Sequence, residues 1–129
     1  MSGADVTGMP DFVDAKKTLR ALGDVARLAI VQILAGSGEM NVSDLVEALN
    51  THGILVSQPL LSWHLSHLKR SGLVRVRPAG RVKFYSLNRE RFDWCLHFLS
   101  DLVAPTQGQH TRSSVPSSAE SRLGLQTRR

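Results

Sequence analysis

Apolar residues recur every three to four positions in the first part of the chain, which is the period of amphipathic helices. Asp24, Asn41 and Ser57 each precede an apolar segment, and each has a side-chain oxygen that can accept from a free backbone N–H of a first helical turn. The pattern therefore predicts four helices, over about residues 10–22, 25–35, 42–49 and 58–71.

The fourth predicted helix has two contrasting sides. At 100° per residue three leucines fall on one line and are expected to be buried: Leu61, Leu65 and Leu68. The opposite side carries Pro59, Trp63, Ser66 and Arg70. Because a tryptophan rarely points away from the core of its own domain, this helix is predicted to contact another molecule.

After Gly72, which is expected to end the fourth helix, the apolar period changes from 3.6 to 2. Residues 74–77 and 82–87 alternate as two strands, and the residues between them, Pro78-Ala79-Gly80-Arg81, favour a turn. Asn88 is expected to cap a last helix from Arg89 to Val103. The predicted fold class is mainly α with a small β-hairpin, in the order of a winged helix-turn-helix: four helices, two strands and a fifth helix.

The last predicted helix is apolar over an arc of about 200°, wider than the usual buried stripe. We expect a second copy of the chain to cover the excess, with help from the first helix, so that the protein is a homodimer. The predicted interface residues are Phe12, Leu19, Phe92, Cys95, Leu96, Leu99 and Val103. The alternative is a terminal helix buried within one chain.

Length and composition predict one folded domain over residues 10–103, with disordered segments at 1–9 and 104–129. No apolar run has the roughly 20 residues needed to span a bilayer, and the first ten residues lack the features of a secretory signal. Cys95 is the single cysteine, which excludes an intramolecular disulfide and CxxC motifs. We expect a cytoplasmic protein that does not bind a membrane.

Positive charge is concentrated in one part of the chain. The net charge is +5, and residues 57–91 alone contain eight Lys or Arg residues against Glu90. A basic segment on a small domain indicates a polyanionic partner, most simply nucleic acid. The alternative is a solvated basic face.

Three segments, in this order, resemble the ArsR/SmtB family of dimeric bacterial winged-helix repressors: residues 19–28 (LRALGDVARL), residues 57–74 (SQPLLSWHLSHLKRSGLV) and residues 80–86 (GRVKFYS). The resemblance runs from about residue 15 to 103. It implies a homodimer joined through the first and last helices, which binds a palindromic operator and represses its operon until an inducer arrives. The link between the third and fourth helices is about five residues longer than the family pattern.

The positions that match the family's base-reading residues are Gln58, Pro59, Ser62 and Trp63. Predicted phosphate or wing contacts are Ser57, His64, Lys69, Arg75, Arg77, Arg81 and Lys83. Trp63 could instead fold onto its own helix or a neighbouring loop. His64 could instead be a packing or hydrogen-bonding residue on the flank of the helix.

A metal site is only weakly indicated. Many metal-sensing members of the family carry a Cys-x-Cys motif where this chain has Val42-Ser43-Asp44, so no thiolate site and no cofactor are expected. The remaining weak metal candidates are Asp93, His97 and Asp101 on the last helix. The sequence contains no nucleophile–base pair of the kind that would indicate an enzyme. The leading hypothesis is a double-stranded DNA-binding regulator, and the alternatives are a metal-responsive repressor and a winged-helix protein-interaction module.

Overall fold

A computed structural model describes residues 10–105 of the chain. Its five helices are α1 (Pro10–Leu22), α2 (Val25–Ser37), α3 (Val42–Thr51), α4 (Gln58–Arg70) and α5 (Arg89–Leu102). Its three strands are β1 (Glu39–Asn41), β2 (Val74–Ala79) and β3 (Val82–Leu87). The predicted fold class is confirmed. The segments predicted to be disordered, residues 1–9 and 104–129, lie outside the described residues except for positions 104 and 105.

The chain divides into two units, and among the described residues the division falls between Leu96 and His97. In the first unit, three of the four predicted N-caps are confirmed. The side chains of Asp24, Asn41 and Ser57 accept from the backbone N–H three residues further on, at 3.1, 2.8 and 3.2 Å. These bonds satisfy donors that have no partner within the helix, so the starts of α2, α3 and α4 are determined locally.

The end of α2 and the predicted cap of α5 differ from the expectation. Helix α2 continues through Ser37, whose hydroxyl donates to the Ile33 carbonyl, and it closes at Gly38 with φ of 89°. Asn88 does precede α5, but its side-chain amide donates to the Gly72 carbonyl at 2.9 Å. That bond ties the start of α5 to the end of α4.

The sheet has a third strand that the sequence did not predict. The strand order is β1-β3-β2, and β1 pairs antiparallel with β3 through Glu39, Met40 and Asn41. Strand β2 extends to Ala79, which pairs with Val82, so the predicted four-residue turn is a two-residue loop of Gly80 and Arg81. Pro78 is tolerated within β2 because this strand lies at the edge of the sheet.

The predicted leucine line of α4 forms the middle of the core. Leu61, Leu65 and Leu68 are fully buried, together with Ile30 and Leu34 of α2, Leu45 and Leu49 of α3, and Leu73. Ile54 and Val56, in the link between α3 and α4, pack against this cluster. The long link is thus held by apolar contacts, and the side of α4 opposite to the leucines faces outward.

Candidate nucleic-acid interface

The outward side of α4 presents four side chains, which we call the α4 ridge: Pro59, Ser62, Trp63 and Ser66. These positions lie within about 100° of one another around the helix axis, given 100° per residue. Ser66 is partly buried and the other three are exposed. Trp63 has 52% of its surface exposed, although a tryptophan of this size would normally be covered.

A groove with basic walls lies between α4 and the hairpin of β2 and β3, which we call the wing. Ser62, Ser66 and Lys69 line it from the helix, while Arg81 and Lys83 line it from the wing. No Asp or Glu is among the described residues that line this wing groove. The fold therefore brings three of the predicted phosphate contacts to one place beside the α4 ridge.

The two other predicted wing arginines are paired with carboxylates. Arg77 donates two hydrogen bonds of 2.9 Å to Glu39, and its guanidinium lies 4.9 Å from the centre of the Phe84 ring. The hydrogen bonds from Arg77 lower the pKa of Glu39 below its usual value. Arg75 lies 3.4 Å from the Glu90 carboxylate. These partners reduce the positive charge that Arg75 and Arg77 present to an anion.

The first residues of α4 are engaged locally. The Ser57 hydroxyl caps the helix, and the Gln58 amide donates to the Ser43 hydroxyl at 3.4 Å. Both residues are exposed. Gln58 keeps the amide oxygen with which it could accept from adenine.

His64, predicted either as a phosphate contact or as a packing residue, has little exposed surface. It is buried to 6% exposure, and its Nδ1 lies 2.9 Å from Nη1 of Arg27. Because a guanidinium only donates, Nδ1 of His64 must accept, which leaves the ring neutral with its proton on Nε2. Burial lowers the pKa of His64; Asp24 opposes this effect and Arg27 adds to it. The structure favours the alternative role in packing and hydrogen bonding.

Trp63 is half covered by neighbours on one flank of α4. Its ring meets His67 and His64 edge to face, with centroid distances of 4.4 and 5.2 Å, and the Arg27 guanidinium lies 5.7 Å from its centroid. These contacts orient the indole and leave half of its surface accessible. Both predicted roles, contact with an outside molecule and packing on its own helix, are compatible with this position.

The predicted interface residues differ in exposure. Leu96 is 64% exposed, and Phe12, Leu19, Leu99 and Val103 are exposed as well. Cys95 is only 5% exposed, and Phe92 packs against the core. Cys95 is therefore covered within a single chain, whereas Phe92 is only partly buried and keeps surface that a partner could cover.

The weak metal candidates Asp93, His97 and Asp101 all lie on α5. Within residues 10–105, no three His, Cys, Asp or Glu side chains form a group that could hold a metal ion. None of the described helices has the length and apolar character needed to cross a membrane.

The chain is similar to known regulators over most of its described part. Residues 24–76 match the model of a family described as bacterial regulatory proteins of the arsR family. An uncharacterised HTH-type transcriptional regulator of Methanocaldococcus jannaschii is 31% identical over 94 residues, which are 73% of this chain and 100% of the relative. The arsenic resistance transcriptional regulator ArsR1 of Pseudomonas putida is 31% identical over 99 residues, 77% of this chain and 73% of the relative.

A solved structure agrees with these sequence matches. NolR from Sinorhizobium fredii superposes with a TM-score of 0.57 at 29% identity, covering 80% of this chain and 94% of NolR. Members of the family are transcriptional regulators and not enzymes. The helix order, the wing and these matches together show that the chain belongs to the ArsR family of winged-helix transcriptional regulators.

Proposed function

We propose that this protein is a sequence-specific DNA-binding repressor that binds a palindromic operator as a homodimer. The observation that carries the proposal is the exposed α4 ridge beside the wing groove with its cations Lys69, Arg81 and Lys83. An α-helix with its side chains is about 10–12 Å wide and fits the major groove, whose width is about 12 Å. The ridge would then face base edges while the wing cations meet phosphates.

The ridge offers chemistry for both kinds of contact. The Ser62 hydroxyl can bond to a base edge or a phosphate, and the Trp63 indole combines an N–H donor with a flat apolar surface that suits a thymine methyl group. Arg81 occupies the tip of the wing, in the two-residue loop between β2 and β3. From that position it could enter the adjacent minor groove.

The homodimer is supported by exposed apolar side chains on two helices. Phe12 and Leu19 of α1 are exposed, as are Leu96, Leu99 and Leu102 of α5. Apolar surface of this kind is normally covered by a partner. A two-fold dimer presents two copies of α4, and such symmetry matches a palindromic operator.

The proposal is tested by titrating the purified protein against DNA from upstream of its own gene, at 50 and 200 mM salt. We expect saturable binding that is stronger than to random DNA of equal length and that weakens at the higher salt. The Arg81→Gln variant should bind both DNAs more weakly, because it removes a phosphate contact. Equal affinity for both DNAs, or an affinity that does not change with salt concentration, would contradict the proposal.

A further inference from the structure

A second basic cleft lies on the flank of α4 opposite to the wing groove. Lys17 and Arg20 line it from α1, Arg27 lines it from α2, and Trp63, His67 and Arg70 line it from α4. No Asp or Glu is among the described residues that line it. We call it the α1 cleft.

The floor of the α1 cleft is a buried cation. Arg27 is 8% exposed, its Nε donates to the Ala21 carbonyl at 2.6 Å, and its Nη1 donates to His64. The nearby carboxylate of Asp24 accepts from the backbone N–H of Arg27, and no described carboxylate forms a salt bridge with the guanidinium. Two neutral acceptors hold the Arg27 guanidinium in place, and the Asp24 carboxylate, 3.9 Å from Nδ1 of His64, offsets part of its charge.

The rim of the cleft is also positive. Lys17, Arg20 and Arg70 are exposed there. Burial lowers the pKa of His67, and Arg27 and Arg70 lower it further. An anion in the cleft would relieve this accumulation of like charge.

The wing groove and the α1 cleft lie on the two sides of the α4 ridge. Ser62, Ser66 and Lys69 face the wing groove, whereas Trp63, His67 and Arg70, about 100° further around the helix, face the α1 cleft. A helix that fills the major groove has one DNA backbone on each side of it. A helix with basic surfaces on both flanks can therefore contact both strands at once.

We propose that the α1 cleft binds backbone phosphates of the second DNA strand, so that α4 is held in the major groove from both sides. Lys17 and Arg20 are the new phosphate contacts, together with Arg70. Arg27 is too deeply buried to serve as a direct contact and acts as a fixed positive charge beneath them. This inference rests on the proposed function and extends the DNA interface to α1.

The experiment measures affinity for operator and random DNA across a salt series, with the full chain. Lys17→Gln and Arg20→Gln are compared with Lys16→Gln, a matched control that removes the same charge from an exposed neighbour outside the cleft. Each lost phosphate contact should reduce the steepness of log K, where K is the association constant, against log salt by about 0.9. Because a dimer loses the contact twice, each variant should reduce it by roughly 2. The loss should be the same on both DNAs, because phosphates carry no sequence information.

The outcomes separate this inference from the proposed function. If the unmodified protein shows no salt-dependent DNA binding, both fail. If it binds DNA while the Lys17 and Arg20 variants keep the slope of the Lys16 control, the inference alone is overturned.

A second arm tests for a soluble anion, with inorganic phosphate as the probe and the indole N–H resonance of Trp63 as the readout. Saturable shifts together with unchanged salt slopes in the variants would assign the cleft to a soluble anion and overturn the DNA contact. Reduced salt slopes in the variants, without saturable phosphate binding, support the DNA contact.

Discussion

Trp63 lies where the α4 ridge meets the α1 cleft, so its replacement tests whether the ridge contacts bases. We expect Trp63→Ala to lose roughly 1–3 kcal/mol of operator affinity and a smaller share of affinity for random DNA. The measurement is a DNA titration, with sedimentation to verify the oligomeric state. Leu55→Ala is the control, because Leu55 is an exposed apolar residue in the link before α4. Equal losses on operator and random DNA would mean that the indole does not discriminate bases.

The pair of His64 and Arg27 predicts a pH-dependent stability. The pKa of His64 in the folded chain lies below its usual value of 6.5, so below that pH the unfolded chain binds more protons than the folded chain. Stability from the neutral ring is therefore present above about pH 6.5 and is lost as the pH falls. His64→Asn keeps an acceptor oxygen near the position of Nδ1 and cannot be protonated.

The measurement is the urea midpoint of unfolding between pH 7.5 and 5.5. We expect His64→Asn to be less stable than the unmodified chain at pH 7.5, because the smaller side chain leaves a gap in the core, and to show a flatter pH dependence. His67→Gln measures the contribution of the second histidine with a lowered pKa. Identical pH dependence in His64→Asn and the unmodified chain would refute the assignment.

At the residue scale, the sequence predicted what depends on periodicity and missed what depends on distant partners. The leucine line and the exposed Trp63 follow from the 100° rotation per residue. The burial of His64 depends on Arg27, which is 37 positions earlier in the chain. Lys17 and Arg20 were overlooked because they belong to a net acidic half of the chain, although their spacing of three places them on one helix face.

At the element scale, β1 shows a limit of pattern analysis. Three residues are too few to display alternation, and Glu39–Asn41 becomes a strand only because β3 offers a free edge. This strand also affects the candidate site, since β1 brings Glu39 to Arg77 and so pairs one predicted wing contact with a carboxylate. The helices were predicted more accurately, because their caps are local.

Two glycines at helix ends give a prediction about element stability. Gly72 has φ of +84°, and an added Cβ would lie 3.3 Å from Nε of Arg91. Gly36 lies within α2, has open space around its Cβ position and has no positive φ. We expect Gly72→Ala to lose about 1–2 kcal/mol of unfolding free energy and Gly36→Ala to gain up to about 1 kcal/mol.

Urea unfolding of the two glycine variants provides the measurement. Each variant serves as the control for the other, since both add one methyl group near the end of a helix. An unchanged or raised stability of Gly72→Ala would show that the backbone conformation at Gly72 does not require glycine, and a loss in Gly36→Ala would contradict the expected gain there.

At the scale of the whole molecule, the distribution of charge differs from the impression given by the linear sequence. The segment before α4 is net acidic, yet the fold turns Lys17, Arg20 and Arg27 toward the flank of α4. The segment after α4 is basic, yet two of its arginines are paired with Glu39 and Glu90. The two flanks of α4 are therefore more evenly basic than the sequence suggests.

The homodimer is tested by placing a charge on the exposed apolar side of α5. Leu96→Glu should convert the dimer to a monomer, because a buried unpaired carboxylate costs several kcal/mol at an interface. Gln32→Glu, on the exposed surface of α2 and away from the proposed interface, is the matched control and should remain dimeric. Sedimentation at several concentrations gives the dissociation constant, and thermal unfolding verifies that the monomer is folded. Because a monomer engages one half-site only, its operator affinity should fall toward that for random DNA. If the Leu96→Glu variant remains dimeric and binds the operator with full affinity, this face of α5 is not part of the interface.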